Sequence, residues 1–200
     1  SHPALASAIA RLLKLPLREN NETVNIGIVG RLVPVKNHKM LFRVIKKLKA
    51  YSLKLKAVII GDGEMRIELE KYAEELGIRD MVEFKGWVKD LCKIYEGLDI
   101  VALTSLNEGT PVSLIEAMAA ARPVAATRVG GVKDIVEDGV SGYLVESENV
   151  EEFSKRLIEL IQNPEKCRMF GQNGRDIVKN RFSKERLIKD TEKLYNNLLK

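Results

Sequence analysis

The sequence has little of what most catalytic frameworks require. It holds two histidines and two cysteines in 200 residues. The histidines are His2 and His38, which leaves no plausible Ser-His-Asp triad within the chain. Cys92 and Cys167 stand far from each other and from any metal-type spacing. That argues against a zinc site or a disulfide framework, and it fits a reducing, cytoplasmic compartment. No GxxxxGK(S/T) run occurs, so a P-loop nucleotide hydrolase is excluded. No Asp-x-Asp occurs either, so there is no evident carboxylate pair for a metal-bound diphosphate, and no metal or other cofactor is expected. No apolar run approaches the roughly 20 residues of a membrane span, and no basic-then-apolar stretch opens the sequence. Aromatics are scarce at 6%, and the basic residues behind the net charge of +5 lack an interleaved aromatic pattern. The charge therefore favours anionic partners, and nucleic acid is not the leading one.

What is present is alternation. Short apolar runs are read as strands at 24–30 (VNIGIVG), 55–61 (LKAVIIG), 81–87 (MVEFKGW), 99–105 (DIVALTS), 123–127 (PVAAT) and 142–145 (GYLV). Their near-continuous hydrophobicity is what a parallel sheet covered on both faces demands. Amphipathic stretches lie between them. In NHKMLFRVIKKLKAY, Leu41, Val44, Ile45 and Leu48 form one stripe, while Lys39, Arg43, Lys46 and Lys47 lie outside it. That basic face reads as solvated in preference to membrane-bound. EMRIELEKYAEELG ends at Gly77 in C-cap position, DLCKIYEGL is a short helix, and VKDIVED is a further one. Helix is expected from Asn149 onward, with breaks near Asn163-Pro164 and Phe182-Ser183. The expected fold is α/β: a Rossmann-like, doubly wound parallel sheet of about six strands with helices on both faces. Residues 1–22 read as a lead-in segment and linker whose packing partner lies elsewhere, 23–182 as the Rossmann-like domain, and 183–200 as a C-terminal helix.

Ligands of such a sheet sit at the carboxyl ends of its strands, and five stretches fall there. After the first strand, Gly30 leads to Arg31, a planar fork of donors, and Lys36, a point charge; the pair suits a diphosphate or is an ordinary solvated loop. After the second, Gly61-Asp62-Gly63 begins like a dinucleotide fingerprint, but Arg66 replaces the third glycine, and a tight turn explains it. After the third come Val88, whose backbone could bond a base edge, and Asp90, which could accept from ring N–H groups or simply cap the next helix, with Lys93 nearby. After the fourth comes NEGTPVSLIEAMAAARPVAAT. There Thr110 is expected to cap a helix beginning at Pro111, leaving the amides of Val112 and Ser113 facing outward at a positive helix end. Glu108 precedes this mouth, and Glu116 interrupts the apolar run behind it. A carboxylate accepting two hydrogen bonds matches a vicinal diol such as that of a ribose; a salt bridge for Glu116 and plain solvation for Glu108 are the alternatives. After the fifth, Arg128-Val129-Gly130-Gly131 is a turn.

Three runs, GRLVPVKNH, GDGEMRIELEKYAEELGIRDMVEFKGWV and EGTPVSLIEAMAAARPVAATRVGGVKDIVEDGVSGYLV, together resemble the C-terminal domain of family 4 (group 1) retaining glycosyltransferases. The likeness covers roughly residues 24 to 182, and its Glu-x7-Glu signature is highly specific. It implies one half of a GT-B fold, in which two Rossmann-like domains face a cleft and the second holds a nucleotide-sugar donor. It implies that Arg31 and Lys36 neutralise the donor diphosphate, that Glu116 binds the ribose, and that Glu108 contacts the transferred sugar. Gly109, Thr110, Pro111, Val112 and Ser113 would line sugar and phosphate, and Val88, Asp90 and Lys93 would meet the base. The implied reaction is transfer of a hexosyl unit from an NDP-sugar (UDP or GDP) to an acceptor hydroxyl without metal. The implied partner is an N-terminal acceptor domain, against which residues 183–200 would pack and without which little transfer is expected. Peripheral membrane contact would come through the full-length protein. The intact Glu-x7-Glu argues against a sugar-nucleotide epimerase domain and the missing glycine fingerprint on the first strand against a nicotinamide-dependent dehydrogenase domain, while a non-catalytic nucleotide-sugar-binding module remains open. One departure stands out: the family has glycine where this chain has Ala121, which costs on the order of 1 kcal/mol if that position is left-handed.

Overall fold

The structure, a computed structural model, describes residues 2–17 and 22–182. Its elements follow in the order α1 (His2–Leu12), β1 (Val24–Val29), α2 (His38–Lys49), β2 (Leu55–Ile60), α3 (Arg66–Glu75), β3 (Val82–Gly86), α4 (Leu91–Glu96), β4 (Ile100–Leu103), α5 (Val112–Ala119), β5 (Val124–Thr127), β6 (Gly142–Val145), α6 (Val150–Gln162) and α7 (Pro164–Phe182). The six strands form one parallel sheet in the order β3-β2-β1-β4-β5-β6. All six expected strands are present. The order reverses between β1 and β4, and such a switch point is where ligands of an open α/β sheet bind.

Strand alternation divides the interior in two. Ile26, Ile28, Ala57, Ile59, Ile100, Ala102, Ala125, Tyr143 and Val145 point to one face, where α2, α3 and α6 cover them. Val58, Ile60, Val101, Leu103, Val124, Ala126 and Leu144 point to the other, beneath α1, α4 and α5. Because both faces are buried, polar residues have no outlet along most strands, which is why these segments read as unbroken apolar runs. The basic side of α2 is neutralised within the chain. Lys39 pairs with Glu68, Arg43 with Glu148 and Lys47 with Glu151, while Lys46 Nζ donates to the Leu76 carbonyl at 2.6 Å. This is a network of exposed pairs, not an open cationic face.

Two local expectations are corrected. The lead-in helix has its packing partner in this chain: Ile9, Leu12 and Leu15 are buried in the second core, each such side chain contributing about 1.5–3 kcal/mol. Arg122, only 2% exposed, donates to the Pro16 carbonyl at 3.3 Å, and Arg175 donates to that of Leu15 at 2.6 Å, so the segment after α1 is fastened by its backbone. The stretch VKDIVED does not form an α-helix. A 3-10 turn spans Gly130–Asp134, after which Asp138 accepts from the Leu144 amide at 2.9 Å and from Arg128 at 2.7 Å, holding the chain as a turn into β6. The break at Asn163-Pro164 is present, and Asn163 caps α7 by accepting from the Lys166 amide. The break near Ser183 and the helix over 183–200 lie outside the described residues.

Candidate functional site

The loops after β1 and β4 flank the switch point and are tied together. The Leu106 amide donates to the Val35 carbonyl at 2.8 Å, and the Thr104 hydroxyl reaches the carbonyls of Lys36 and Asn37 at 3.2 and 3.0 Å. Asn37 adopts the left-handed conformation (φ 46°, ψ 48°), which asparagine tolerates better than most residues, and this turns the chain from the Lys36 loop into α2. The ties bring two of the expected residues into contact. Lys36 Nζ lies 2.6 Å from Glu108 Oε1, with the side chains 24% and 9% exposed. Ser105 Oγ donates to that same oxygen at 2.6 Å. One carboxylate oxygen thus takes a cation and a hydroxyl at the switch point, a half-desolvated pair worth more than a surface one. Arg31, on the same loop as Lys36, is exposed, and its guanidinium has no partner among the described residues.

Each loop is braced from outside. A Cβ on Gly61 would fall 1.9 Å from the Gly30 carbonyl oxygen, so the turn after β2 lies directly against the loop after β1. A Cβ on Gly130 would fall 1.8 Å from the Glu108 carbonyl oxygen, and the Gly131 amide donates to that oxygen at 3.0 Å. Backbone approaches this close admit only glycine. The turns at 61–63 and 128–131, both readable from the sequence simply as turns, are therefore supports for the Arg31–Lys36 and Glu108 loops.

Helix α5 begins one residue later than expected. Pro111 is its N-cap (φ −76°, ψ 84°), and its carbonyl accepts from the amides of Leu114 and Ile115 at 3.0 and 3.3 Å, so Thr110 lies before the cap. No side chain caps this end, and the Val112 and Ser113 amides stay at the positive pole of the helix. Glu116, in the next turn, has no ion pair among the described residues. The Tyr95 hydroxyl donates to its Oε2 at 2.9 Å and also lies 3.1 Å from the Ser113 carbonyl. Burial raises the Glu116 carboxyl above the ordinary range, and the Tyr95 hydrogen bond works against that rise.

The residues after β3 are held separately. Asp90 caps α4 by accepting from the Cys92 amide at 3.1 Å and pairs with Arg11 at 3.2 Å, so its bland role is filled. Val88 packs against the second core, and Lys93 is exposed on α4. Neither Tyr95 nor Ser105 stood out in the sequence. Tyr95 sits in a short apolar helix where an aromatic reads as core, and Ser105 reads as the end of a strand.

His38 lies beside this site, 2% exposed, with neither ring nitrogen hydrogen-bonded. Burial, then the charge of Lys36, lowers its pKa to about 4, so the imidazole is neutral.

Comparison with known proteins matches the chain over most of its length. Residues 4–177 match the family Glycosyl transferases group 1. The poly(ribitol-phosphate) alpha-N-acetylglucosaminyltransferase of Staphylococcus aureus is 29% identical over 173 residues, covering 86% of this chain and 35% of that protein. The Anabaena protein Alr3699/HepE, solved with UDP-glucose, superposes with a TM-score of 0.77 at 25% identity, over 98% of this chain and 54% of that one. The C-terminal domain of the group 1 glycosyl transferase LpcC from Francisella tularensis superposes with a TM-score of 0.72 at 29% identity, covering 90% and 93% of the two chains. The chain spans between about a third and a half of the length of its first curated relatives. A family match over most of the residues, on a sheet of this order, assigns the chain to the group 1 glycosyl transferases, of which it is a C-terminal, GT-B-type domain.

Proposed function

We propose that this domain holds the nucleotide-sugar donor of a retaining glycosyltransferase, which passes a hexosyl unit to an acceptor hydroxyl. The observation that carries the reading is the Lys36–Glu108 pair at the switch point, beside the uncapped start of α5. Arg31 and Lys36 take the donor diphosphate and stabilise the charge that develops on the departing nucleotide. Glu108 accepts from hydroxyls of the transferred sugar, Glu116 from the ribose diol, and the backbone from Gly109 to Ser113 lines the space between. Gly30 keeps the first loop clear of side chain, while Val88, Asp90 and Lys93 face the base. For Asp90 this role would be additional to its cap. In the free protein Lys36 and Glu108 satisfy one another, and donor binding exchanges that contact for phosphate and sugar hydroxyls. Two cationic side chains, Arg31 and Lys36, meet the diphosphate, so binding proceeds without metal. The support from relatives is that the Anabaena neighbour was solved with UDP-glucose. Transfer further requires an acceptor domain contributed from outside these residues, and these residues alone bind donor without turning it over.

Calorimetric titration with UDP, GDP and ADP, with and without EDTA, tests this. One nucleotide is expected to bind regardless of EDTA, and Glu116→Ala is expected to weaken it by more than about tenfold, or 1.4 kcal/mol. Binding that needs a divalent cation, or that is indifferent to both Glu116→Ala and Lys36→Ala, overturns the assignment.

A further inference from the structure

The carboxylate of Glu116 is held by a residue with no exposed surface. Tyr95 is fully buried on α4, and its hydroxyl lies 2.9 Å from Glu116 Oε2 and 3.1 Å from the Ser113 carbonyl. The phenol has one proton to give, and the charged acceptor at the shorter distance is the stronger claimant. Tyr95 is itself fixed. Its carbonyl accepts from Arg122 Nε at 2.7 Å, and Arg122, buried at the C-terminal end of α5, donates onward to the Pro16 carbonyl. The start and the end of α5 are thus both referred to α4, and through Arg122 to the segment after α1. Burial raises the Glu116 carboxyl and the Tyr95 hydrogen bond opposes that rise, and among the described residues no cation pairs with it.

Resting on the donor-site reading above, we infer that Tyr95 is a positioning residue for nucleotide binding, aiming the Glu116 carboxylate at the ribose through a single hydrogen bond. Of the two carboxylate oxygens, Oε2 is engaged from within the protein. Oε1 and the remaining lone pair of Oε2 are left to accept from the diol. Without the hydroxyl, burial acts on Glu116 unopposed, and a protonated carboxyl offers the diol a donor where it needs an acceptor.

The test uses Tyr95→Phe, which keeps the ring and its packing, alongside Glu116→Ala and the double variant. Each is titrated between pH 5 and pH 8 with UDP and with 2′-deoxy-UDP, or with the GDP or ADP pair if calorimetry selects that base. Tyr95→Phe is expected to weaken UDP binding about three- to tenfold at pH 7. It should also move the acid limb of the binding profile to higher pH and narrow the preference for UDP over its 2′-deoxy analogue. In the Glu116→Ala background, Tyr95→Phe should change nothing further. An equal loss with and without Glu116, or an acid limb that stays in place, would show that Tyr95 merely buttresses the first turn of α5 and overturns the inference. If Glu116→Ala itself leaves UDP binding intact, the ribose assignment falls and the role of Tyr95 falls with it. That outcome is distinct, because it appears before Tyr95 is touched.

Discussion

Replacing His38 with leucine is expected to flatten the acid side of the stability curve. The native imidazole is buried with both nitrogens unbonded and has a pKa of about 4, against 6.5 for the free side chain. Between those values the unfolded chain binds a proton that the folded chain refuses, so stability is intact above pH 6.5 and falls as the pH drops towards 4. Linkage with these two values gives a loss of about 2 kcal/mol between pH 7 and pH 5, and about 3 kcal/mol once both forms are protonated. Leucine has no proton to bind and leaves no unsatisfied nitrogen, so the variant should be at least as stable at pH 7. Urea unfolding at pH 7 and pH 5 reads the difference directly. The wild-type protein should lose about 2 kcal/mol more than His38→Leu across that interval. Equal losses would mean that His38 takes up its proton within the fold, which would refute the assignment of its lowered pKa to burial.

Other expected outcomes follow from the same geometry. Glu108→Gln removes the charge that occupies Lys36, and it is expected to tighten binding of bare UDP by about fivefold, or ~1 kcal/mol; calorimetry showing weaker binding would refute the exchange of partners. Gly61→Ala forces a methyl into the Gly30 carbonyl, and it is expected to cost about 1–3 kcal/mol in chemical denaturation while also weakening nucleotide binding. Ala121 stands at φ 54° in a Schellman end of α5, where the Arg122 amide donates to the Ala117 carbonyl and that of Ala121 to the Met118 carbonyl. Ala121→Gly relieves about 1–2 kcal/mol of left-handed strain against about 0.5–1 kcal/mol of added chain entropy. It should therefore raise the thermal midpoint by a degree or two, with nucleotide affinity unchanged.

The sheet was legible because burial on both faces leaves a continuous signature: the runs at 24–30 and 55–61 admit hardly any polar residue. The stripe of α2 was legible from its burial on one side, while the left-handed turn at Ala121 was suggested only by the glycine that the resembled family has there. What escaped was whatever depends on contact between segments distant in sequence. Thr110 has the chemistry of a cap, but the hydrogen bonds of Pro111 set the helix start one residue on. The apolar positions of VKDIVED resemble helix periodicity, yet the anchoring of Asp138 to β6 stops the turn from propagating. The lead-in helix looked unpartnered because nothing local announces that Arg122 and Arg175 will grip carbonyls more than a hundred residues away. Lys36 and Glu108 could each be named, but their 2.6 Å contact depends on the loop ties made by Leu106 and Thr104. The site was therefore readable as a set of residue types, and its supports were not.

Those supports have an evolutionary consequence. A methyl at Gly61 would meet the backbone of Gly30 first, and one at Gly130 the Glu108 carbonyl and the Asn107 side chain, all in loops at the rim of the sheet. A lineage released from selection for donor binding could fill either position, shift one loop and keep both hydrophobic cores intact. Decay of the activity would then leave a well-folded domain, and its earliest trace would be a side chain at 61 or 130 while Glu108 and Glu116 were still in place.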